Sequence, residues 1–299
     1  MQYILTGEER VFFIKYLLLP LIVLIFFIGC KKNDEPKLTN LNNNAIGVLG
    51  HRGAGVAFYI TYPINTLTSI KVAIEEMGAD GVEIDVQLSK DNQLMLYHDE
   101  ELQTITSCNG MINSHTKDEL SNCLISSDFF NTPLTNYHLA ALEEVFERYA
   151  NHSPSPICYL DIKPYYDSAN FQSYSSYNLE FAGALNALIL KHNAQESTLL
   201  SSVDIDMLRR LKLQSTSLKL IVDNPDFNTA FQQASSLGLF GITINYANIT
   251  RAQIEQAHAN NLRVILWGVD TKDACRDAAR LFPDYVETDN VLYMISLAK

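Results

Sequence analysis

Gly81-Val-Glu-Ile-Asp-Val-Gln-Leu-Ser-Lys-Asp-Asn-Gln-Leu-Met-Leu-Tyr-His-Asp99 is the stretch that decides how this chain is read. Val82, Ile84, Val86 and Leu88 recur at every second position, so an extended segment carries them on one face. Glu83 and Asp85 then share the opposite face. Ser89-Lys-Asp-Asn92 has turn chemistry. Leu94 and Leu96 resume the alternation, and the return segment ends at His98-Asp99. A turn this short cannot join parallel neighbours, which need a crossover of about a dozen residues. The return segment therefore reads as a hairpin rising from one strand of a larger sheet, with His98 brought back toward that strand's carboxyl end.

Outward from the hairpin, apolar runs alternate with helical periods. Strands are expected at 46–50, 81–88, 157–162, 198–202, 218–222, 241–244, 264–269 and 285–287. Helices are expected at 65–77, 140–149, 179–192, 205–213, 228–237, 252–260 and 272–281, the first capped by Asn65 or Thr66. With the hairpin set aside, eight strands alternate with helices, which is the pattern of a (β/α)8 TIM-type barrel. Residues 100–137 are rich in Ser, Thr and Asn and are too long for an ordinary barrel loop, so they read as a small insertion after the hairpin. The barrel domain is expected over 45–299.

The amino terminus reads differently. Val11 to Gly29 is nearly all apolar, is flanked by Arg10 and Lys15, and ends in Phe27-Ile-Gly-Cys30. A basic flank, an apolar run and a small residue make a secretory signal over residues 1–29. Gly29-Cys30 resembles the lipobox of bacterial lipoproteins, which implies cleavage before Cys30, diacylation of its thiol and membrane attachment through that lipid. Phe27, Glu8 and Glu9 depart from the usual pattern, and an uncleaved signal anchor is the alternative. Residues 30–44 carry the lipidated Cys and an Asn-rich, non-periodic tether. The expected location is the bacterial cell envelope, lipid-anchored, facing the periplasm or the cell surface.

The net charge is −12 and does not change when residues 1–29 are removed. That balance argues against broad affinity for nucleic acid or anionic membrane surfaces. Of the five cysteines, Cys108 and Cys123 bracket one loop-like segment and are the expected disulfide pair, worth about 3 kcal/mol in the chain-entropy model. Cys158 lies in an apolar strand and Cys275 in a helix, and no cysteine spacing suggests zinc.

The polar residues at strand ends converge. The first strand ends in His51 and Arg52. The second carries Glu83 and Asp85, with His98 on its hairpin, and the third carries Asp161 and Lys163. Ser201, Ser202, Trp267 and Asp289 close later strands. Three carboxylates suit a hard divalent cation, Ca²⁺ or Mg²⁺. Two histidines suit general acid–base work, and Arg and Lys suit a phosphate. Together they describe metal-assisted cleavage of a phosphate ester. His115, His138, His152, His192 and His258 read as surface residues, and Tyr97 and Tyr159 as packing.

On these residues the chain resembles the glycerophosphodiester phosphodiesterase family. The motifs stand here as His51-Arg-Gly53, Pro63-Ile-Asn-Thr66, Glu83-Ile-Asp85, His98-Asp99 and Asp161-Ile-Lys163. Leu142-Glu-Glu144 and Trp267-Gly-Val269 add to them, and the resemblance covers about 46–290. It implies that Glu83, Asp85 and Asp161 bind a divalent cation, that His51 and His98 are the acid–base pair, and that Arg52 and Lys163 hold the phosphate. Trp267 would wall the substrate pocket, and residues 100–137 would cover the substrate's alcohol. The implied reaction is hydrolysis of a glycerophosphodiester to glycerol 3-phosphate and an alcohol.

Two positions depart from the family pattern. Asp161 stands where Glu is usual, and Ile64 replaces the Glu of Pro-Glu-Asn-Thr. They keep two other readings open. One is a related phosphodiesterase acting on a lysophospholipid or a polymeric phosphodiester, favoured by an apolar lip at 56–60. The other is a catalytically weak barrel that binds a phosphodiester without turning it over.

Overall fold

The structure, a computed structural model, describes residues 38–56, 62–127 and 132–299. The signal peptide, Cys30 and most of the apolar lip lie outside the described residues. Eight parallel strands close a barrel: β1 (Gly47–Gly50), β2 (Gly81–Leu88), β6 (Ile157–Ile162), β7 (Thr198–Ser202), β8 (Lys219–Asp223), β9 (Gly241–Asn245), β10 (Arg263–Val269) and β11 (Tyr285–Thr288). β11 returns to pair with β1, and β1 pairs in turn with Leu49 and Gly50 against Gly81 and Val82 of β2. The return segment of the hairpin is β3 (Leu94–Leu96). It runs antiparallel to β2, with Val86 opposite Leu96. It is a hairpin arm and not a ninth barrel stave, for the turn-length reason given above.

The alternation along β2 sorts its side chains between two buried environments. Val82, Ile84, Val86 and Leu88 join the large core between strands and helices. Glu83 and Asp85 go to the barrel interior, and all eight residues of β2 are buried. The same parity holds around the barrel. Leu49, Tyr159, Leu199, Ile221 and Ile265 form a separate apolar cluster inside it. That layer plugs the barrel and makes a dry floor beneath the polar residues at the strand ends.

The outer helices are α1 (Leu67–Lys71), α3 (Leu142–Tyr149), α4 (Tyr174–Lys191), α5 (Ile205–Gln214), α6 (Phe227–Leu237), α7 (Arg251–Ala259), α8 (Lys272–Ala279) and α9 (Val291–Ala298). Thr66, and not Asn65, caps α1, accepting from Ser69 N, and α1 runs on as a π-helical turn over Val72–Glu76. α4 starts five residues ahead of the expected Leu179, because Ser173 and Ser176 form a capping box. Tyr174, Tyr177 and Phe181 then pack with Tyr166 and Phe171, so the helix start is held by rings rather than by a regular aliphatic stripe.

Four expectations are corrected. Residues 100–137 are not irregular throughout. They hold a short helix α2 (Lys117–Leu120) and an antiparallel ribbon, β4 (Leu124–Ser127) with β5 (Thr132–His138). Leu102, Ile105, Ile112, Leu120 and Ile125 give this insertion its own small core, and Cys108 and Cys123 are disulfide-bonded beside it. Second, Ile64 packs into that same core with Met95 and Tyr97, so the apolar residue there serves the insertion. Third, the compact unit begins at Leu38 and not near Ala45. Leu38 N donates to Leu297 O, and Asn40 to Asn44 form a turn braced by the Asn40 side chain. Finally, His258 is not a surface residue, because its side chain is 8% exposed and its Nε2 lies 2.7 Å from Asp284.

Asp284 ties the lower end of the barrel together. It accepts from Asn40 Nδ2, Arg263 and Val264 N as well as facing His258. Removing its carboxylate strands several buried donors at once. Asp284→Ala is expected to lower stability by about 3 kcal/mol in urea unfolding of the full-length protein, and a change under about 0.5 kcal/mol would contradict this packing account.

Candidate active site

One turn sets the first strand's contribution. After β1 the chain passes through Arg52 at φ 51° and Gly53 at φ 101°. A Cβ on Gly53 would lie 2.5 Å from Ser69 Oγ, so this tight passage needs glycine. The turn puts Arg52 N on Glu83 Oε2 at 3.0 Å and leaves His51 facing the barrel mouth.

His51 Nδ1 is 2.8 Å from Asp289 Oδ1, and its Nε2 is 3.6 Å from Glu287 Oε1. The Asp289 partner fixes the tautomer with the proton on Nδ1 and leaves Nε2 toward the cavity. Burial disfavours the imidazolium, but Asp289, Glu287 and Glu83 outweigh it and carry the His51 pKa up to about 9. His98 repeats the arrangement, with Nδ1 2.8 Å from Asp99 Oδ1. The buried Gln87 amide donates to Tyr97 O and Asp99 O, at 2.9 and 2.8 Å, and so pins the backbone on both sides of His98. Tyr97 itself packs into the insertion's core.

Asp85 is 1% exposed and lies at the centre of the charged cluster. Arg52 Nε reaches its Oδ2 at 3.2 Å, Lys163 Nζ its Oδ1 at 3.3 Å, and Asn65 Nδ2 its Oδ2 at 2.8 Å. Asn65 Oδ1 also accepts from Asp85 N. Burial alone would raise the Asp85 carboxyl, yet Lys163 and Arg52 hold it below its ordinary value. Lys163 also sits 2.6 Å from Asp161 Oδ2. Glu83 has no such cation of its own. Burial, Asp85 and Glu287 push it well above the usual carboxylate range.

Glu83, Asp85 and Asp161 each present an oxygen within 4.8 Å of the others. Asp161, one methylene shorter than the usual Glu, therefore still reaches the cluster. Among the described residues lining the cavity, Glu83, Asp85, Asp161, Asp223, Asp270 and Glu287 face only Arg52 and Lys163 as permanent cations. An oxygen-rich cluster with this excess of negative charge fits a hard divalent cation.

All eight sequence-predicted residues, His51, Arg52, Glu83, Asp85, His98, Asp161, Lys163 and Trp267, line one cavity of about 360 Å³ at the carboxyl ends of the strands. Ser201 and Ser202 do not join them. They are buried, with hydroxyls directed at Leu160 O and Ile162 O. Sequence reasoning missed Glu287 and Asp223, gave Asn65 no role beyond a cap, and placed Asp289 at a strand end without giving it a role. The signal for the β11 pair was available: Glu287 and Asp289 are two apart at the end of a strand, as Glu83 and Asp85 are.

Comparison with known proteins agrees with this geometry. The sequence profile of the Glycerophosphoryl diester phosphodiesterase family matches residues 51–292. A glycerophosphodiester phosphodiesterase of Caldanaerobacter subterraneus is 25% identical over 253 residues, which is 84% of this chain and 97% of the relative. Among solved structures, a glycerophosphodiester phosphodiesterase from Parabacteroides distasonis superposes with a TM-score of 0.68 at 19% identity, covering 87% of this chain and 98% of that one. An Oleispira antarctica phosphodiesterase in complex with the product sn-glycerol-3-phosphate superposes with a TM-score of 0.70 at 21% identity, covering 85% and 96%. With the family's motifs gathered in one cavity and its profile spanning the barrel, the chain belongs to the glycerophosphoryl diester phosphodiesterase family.

Proposed function

We propose that this protein is a divalent-cation-dependent hydrolase that cleaves glycerophosphodiesters to glycerol 3-phosphate and an alcohol. The observation that carries the reading is a pair of histidines, each oriented by a carboxylate through Nδ1, facing one cavity with three clustered carboxylates and two cations. Family membership supplies the reaction class. Glu83, Asp85 and Asp161 would hold Ca²⁺ or Mg²⁺, which when bound neutralises charge on a phosphoryl oxygen.

The chain's own residues do the rest. Arg52 and Lys163 receive the phosphodiester anion, and Asp85 holds both in place beforehand. One histidine removes a proton, at Nε2, from the nucleophile, which is either a water that gives glycerol 3-phosphate directly or the neighbouring glycerol hydroxyl, whose attack gives a cyclic phosphate that a water then opens to glycerol 3-phosphate. The other delivers a proton from Nε2 to the departing alcohol oxygen. Asp289 and Asp99 keep both rings turned for these transfers. The apolar floor of Leu49, Ile221 and Ile265 keeps bulk water from entering below.

We also propose that Cys30 is acylated and anchors the barrel to the cell envelope. The order of basic flank, apolar run and Gly29-Cys30 supports this. Among the described residues, no helix is long and apolar enough to cross a membrane.

Full-length protein incubated with glycerophosphocholine should release glycerol 3-phosphate with Ca²⁺ or Mg²⁺ and stop with chelator. His51→Ala and Glu83→Ala should each cut kcat by about 10²- to 10⁴-fold. Release that ignores both chelator and variants would overturn the assignment.

Cation affinity should rise with pH. Glu83 is held well above its ordinary value and Glu287 is pushed up to about 7, chiefly by burial, so cation binding must displace protons that are bound near neutrality. Calorimetric titration with Ca²⁺ at several pH values should show affinity climbing with pH through neutrality. Affinity that is flat or falls with pH would contradict the charge balance described.

Acyl labelling in a bacterial host should be lost, and the protein released from membranes, in Cys30→Ser. Unchanged labelling would exclude the anchor.

A further inference from the structure

One further residue of β2 acts on the site without lining its cavity. Gln87 follows Glu83 and Asp85 at the same parity of the strand, pairs across the hairpin with Met95, and is 1% exposed. Its amide nitrogen donates to Tyr97 O at 2.9 Å and to Asp99 O at 2.8 Å, the carbonyls on either side of His98. Carbonyl oxygens only accept, so the amide must turn its NH₂ toward both, and both of its hydrogens are committed. The amide oxygen is left without a hydrogen-bond partner among the described residues. A buried polar atom in that state costs about 1–3 kcal/mol. What this amide supplies in return is its hold on the two carbonyls.

The segment held this way has little else to fix it. β3 ends at Leu96, and Tyr97 N donates to Asp85 O. On the far side, the Tyr97 hydroxyl donates to Glu101 O at 2.9 Å and to Leu102 O at 3.2 Å. Between these anchors, the main chain of His98, Asp99 and Glu100 makes no other hydrogen bond among the described residues. The side chains of His98 and Asp99 are 29% and 28% exposed, so packing alone does not immobilise them. Asp99 is also the carboxylate on His98 Nδ1. The Gln87 amide therefore sets both the imidazole and the group that orients it. A misplacement of about 1 Å at a reacting group can cost about 10²-fold in rate.

We infer that Gln87 is a positioning residue for His98, clamping the main chain on both sides of it so that the ring meets the substrate in register. This rests on the phosphodiesterase reading above and adds to it the residue that aims one of the two histidines. The clamp acts on proton transfer and not on cation or phosphate binding. Asp85 is held by Arg52, Lys163 and Asn65, and Glu83 by Arg52 N, none of which depends on the 97–99 segment.

The test is a double-mutant cycle of Gln87→Met with His98→Ala, reading kcat and KM of the full-length, Ca²⁺-loaded protein on glycerophosphocholine. Met keeps the unbranched shape and removes both N–H donors. Alone, it should lower kcat by about 10- to 100-fold and leave KM within about twofold of the wild type. In His98→Ala protein the same change should cost less than about threefold, because a residue that acts through His98 then has nothing to position. Equal losses in both backgrounds, or a rise in KM at constant kcat, would overturn the inference. Gln87→Glu keeps the shape and turns an oxygen toward the carbonyls, so it should lower kcat at least as far. Failure of both variants to fold would assign Gln87 to the fold and overturn the inference as well. Crystal structures of the wild type and Gln87→Met read the clamp without turnover. Residues 97–100 should shift or lose density in the variant while Glu83 and Asp85 stay in place, and an unmoved segment would overturn the inference. A wild type that cleaves no diester sinks the proposed reaction, while the crystallographic comparison still decides the clamp.

Discussion

A buried carboxylate organises this molecule. Asp85 sits in the barrel interior with almost no solvent contact, and an ionised group there is tolerated only if it is paired and fully hydrogen-bonded. Its partners come from three separate segments: Arg52 from the turn after β1, Asn65 from the loop before α1, and Lys163 from the end of β6. Meeting that demand fixes the geometry that the site uses. Arg52 reaches Asp85 from a left-handed turn, and that turn presents His51. Lys163, just past the end of β6, reaches Asp85 from the side of the strand that Asp161 shares. Asn65 bonds both the side chain and the backbone N–H of Asp85, and Thr66 then starts α1. The phosphate-binding cations are thus positioned by the carboxylate beside them before any substrate arrives.

The second organising feature is the division of interior space. The strands put aliphatic side chains toward the helices and alternate residues toward the barrel axis. Apolar residues fill the lower interior and polar ones the upper. A polar cluster this dense is sustainable because it lies at the open end, where substrate, cation and water can complete its pairing. The insertion stands apart from this scheme. It has its own core and disulfide, with Ile64 and Tyr97 reaching into it from the segments that carry Asn65 and His98. Stability of the insertion and placement of these two residues are therefore linked.

The sequence made the barrel legible through parity. Period-2 alternation in β2 and the short turn to β3 separated the hairpin from the staves, and the remaining strands and helices followed from periodicity. What escaped has local physical causes. The β4–β5 ribbon is Ser- and Thr-rich and carries little apolar contrast. Only two residues lie between β11 and α9, so Val291–Ala298 was not separated from the strand end. The start of α4 is held by aromatic rings rather than an aliphatic stripe. His258 looked like a polar helix residue because its partner, Asp284, is distant in sequence. In the site, residues within recognisable motifs were found and those outside them were not. Glu287, Asp289 and Asp223 act through neighbours that only the closed barrel brings near, and Asn65 was visible as a turn residue but not as the clamp on Asp85.

The most direct measurement is anomalous diffraction from crystals of the protein soaked with Mn²⁺, a scatterer that accepts the oxygen ligands of Ca²⁺ and Mg²⁺, together with glycerol 3-phosphate. The expected result is one strong peak among Glu83, Asp85 and Asp161, with the phosphate resting on Arg52 and Lys163 and within reach of His51 and His98. A peak elsewhere, or a phosphate bound away from Arg52 and Lys163, would contradict the assignment of this cavity as the catalytic centre.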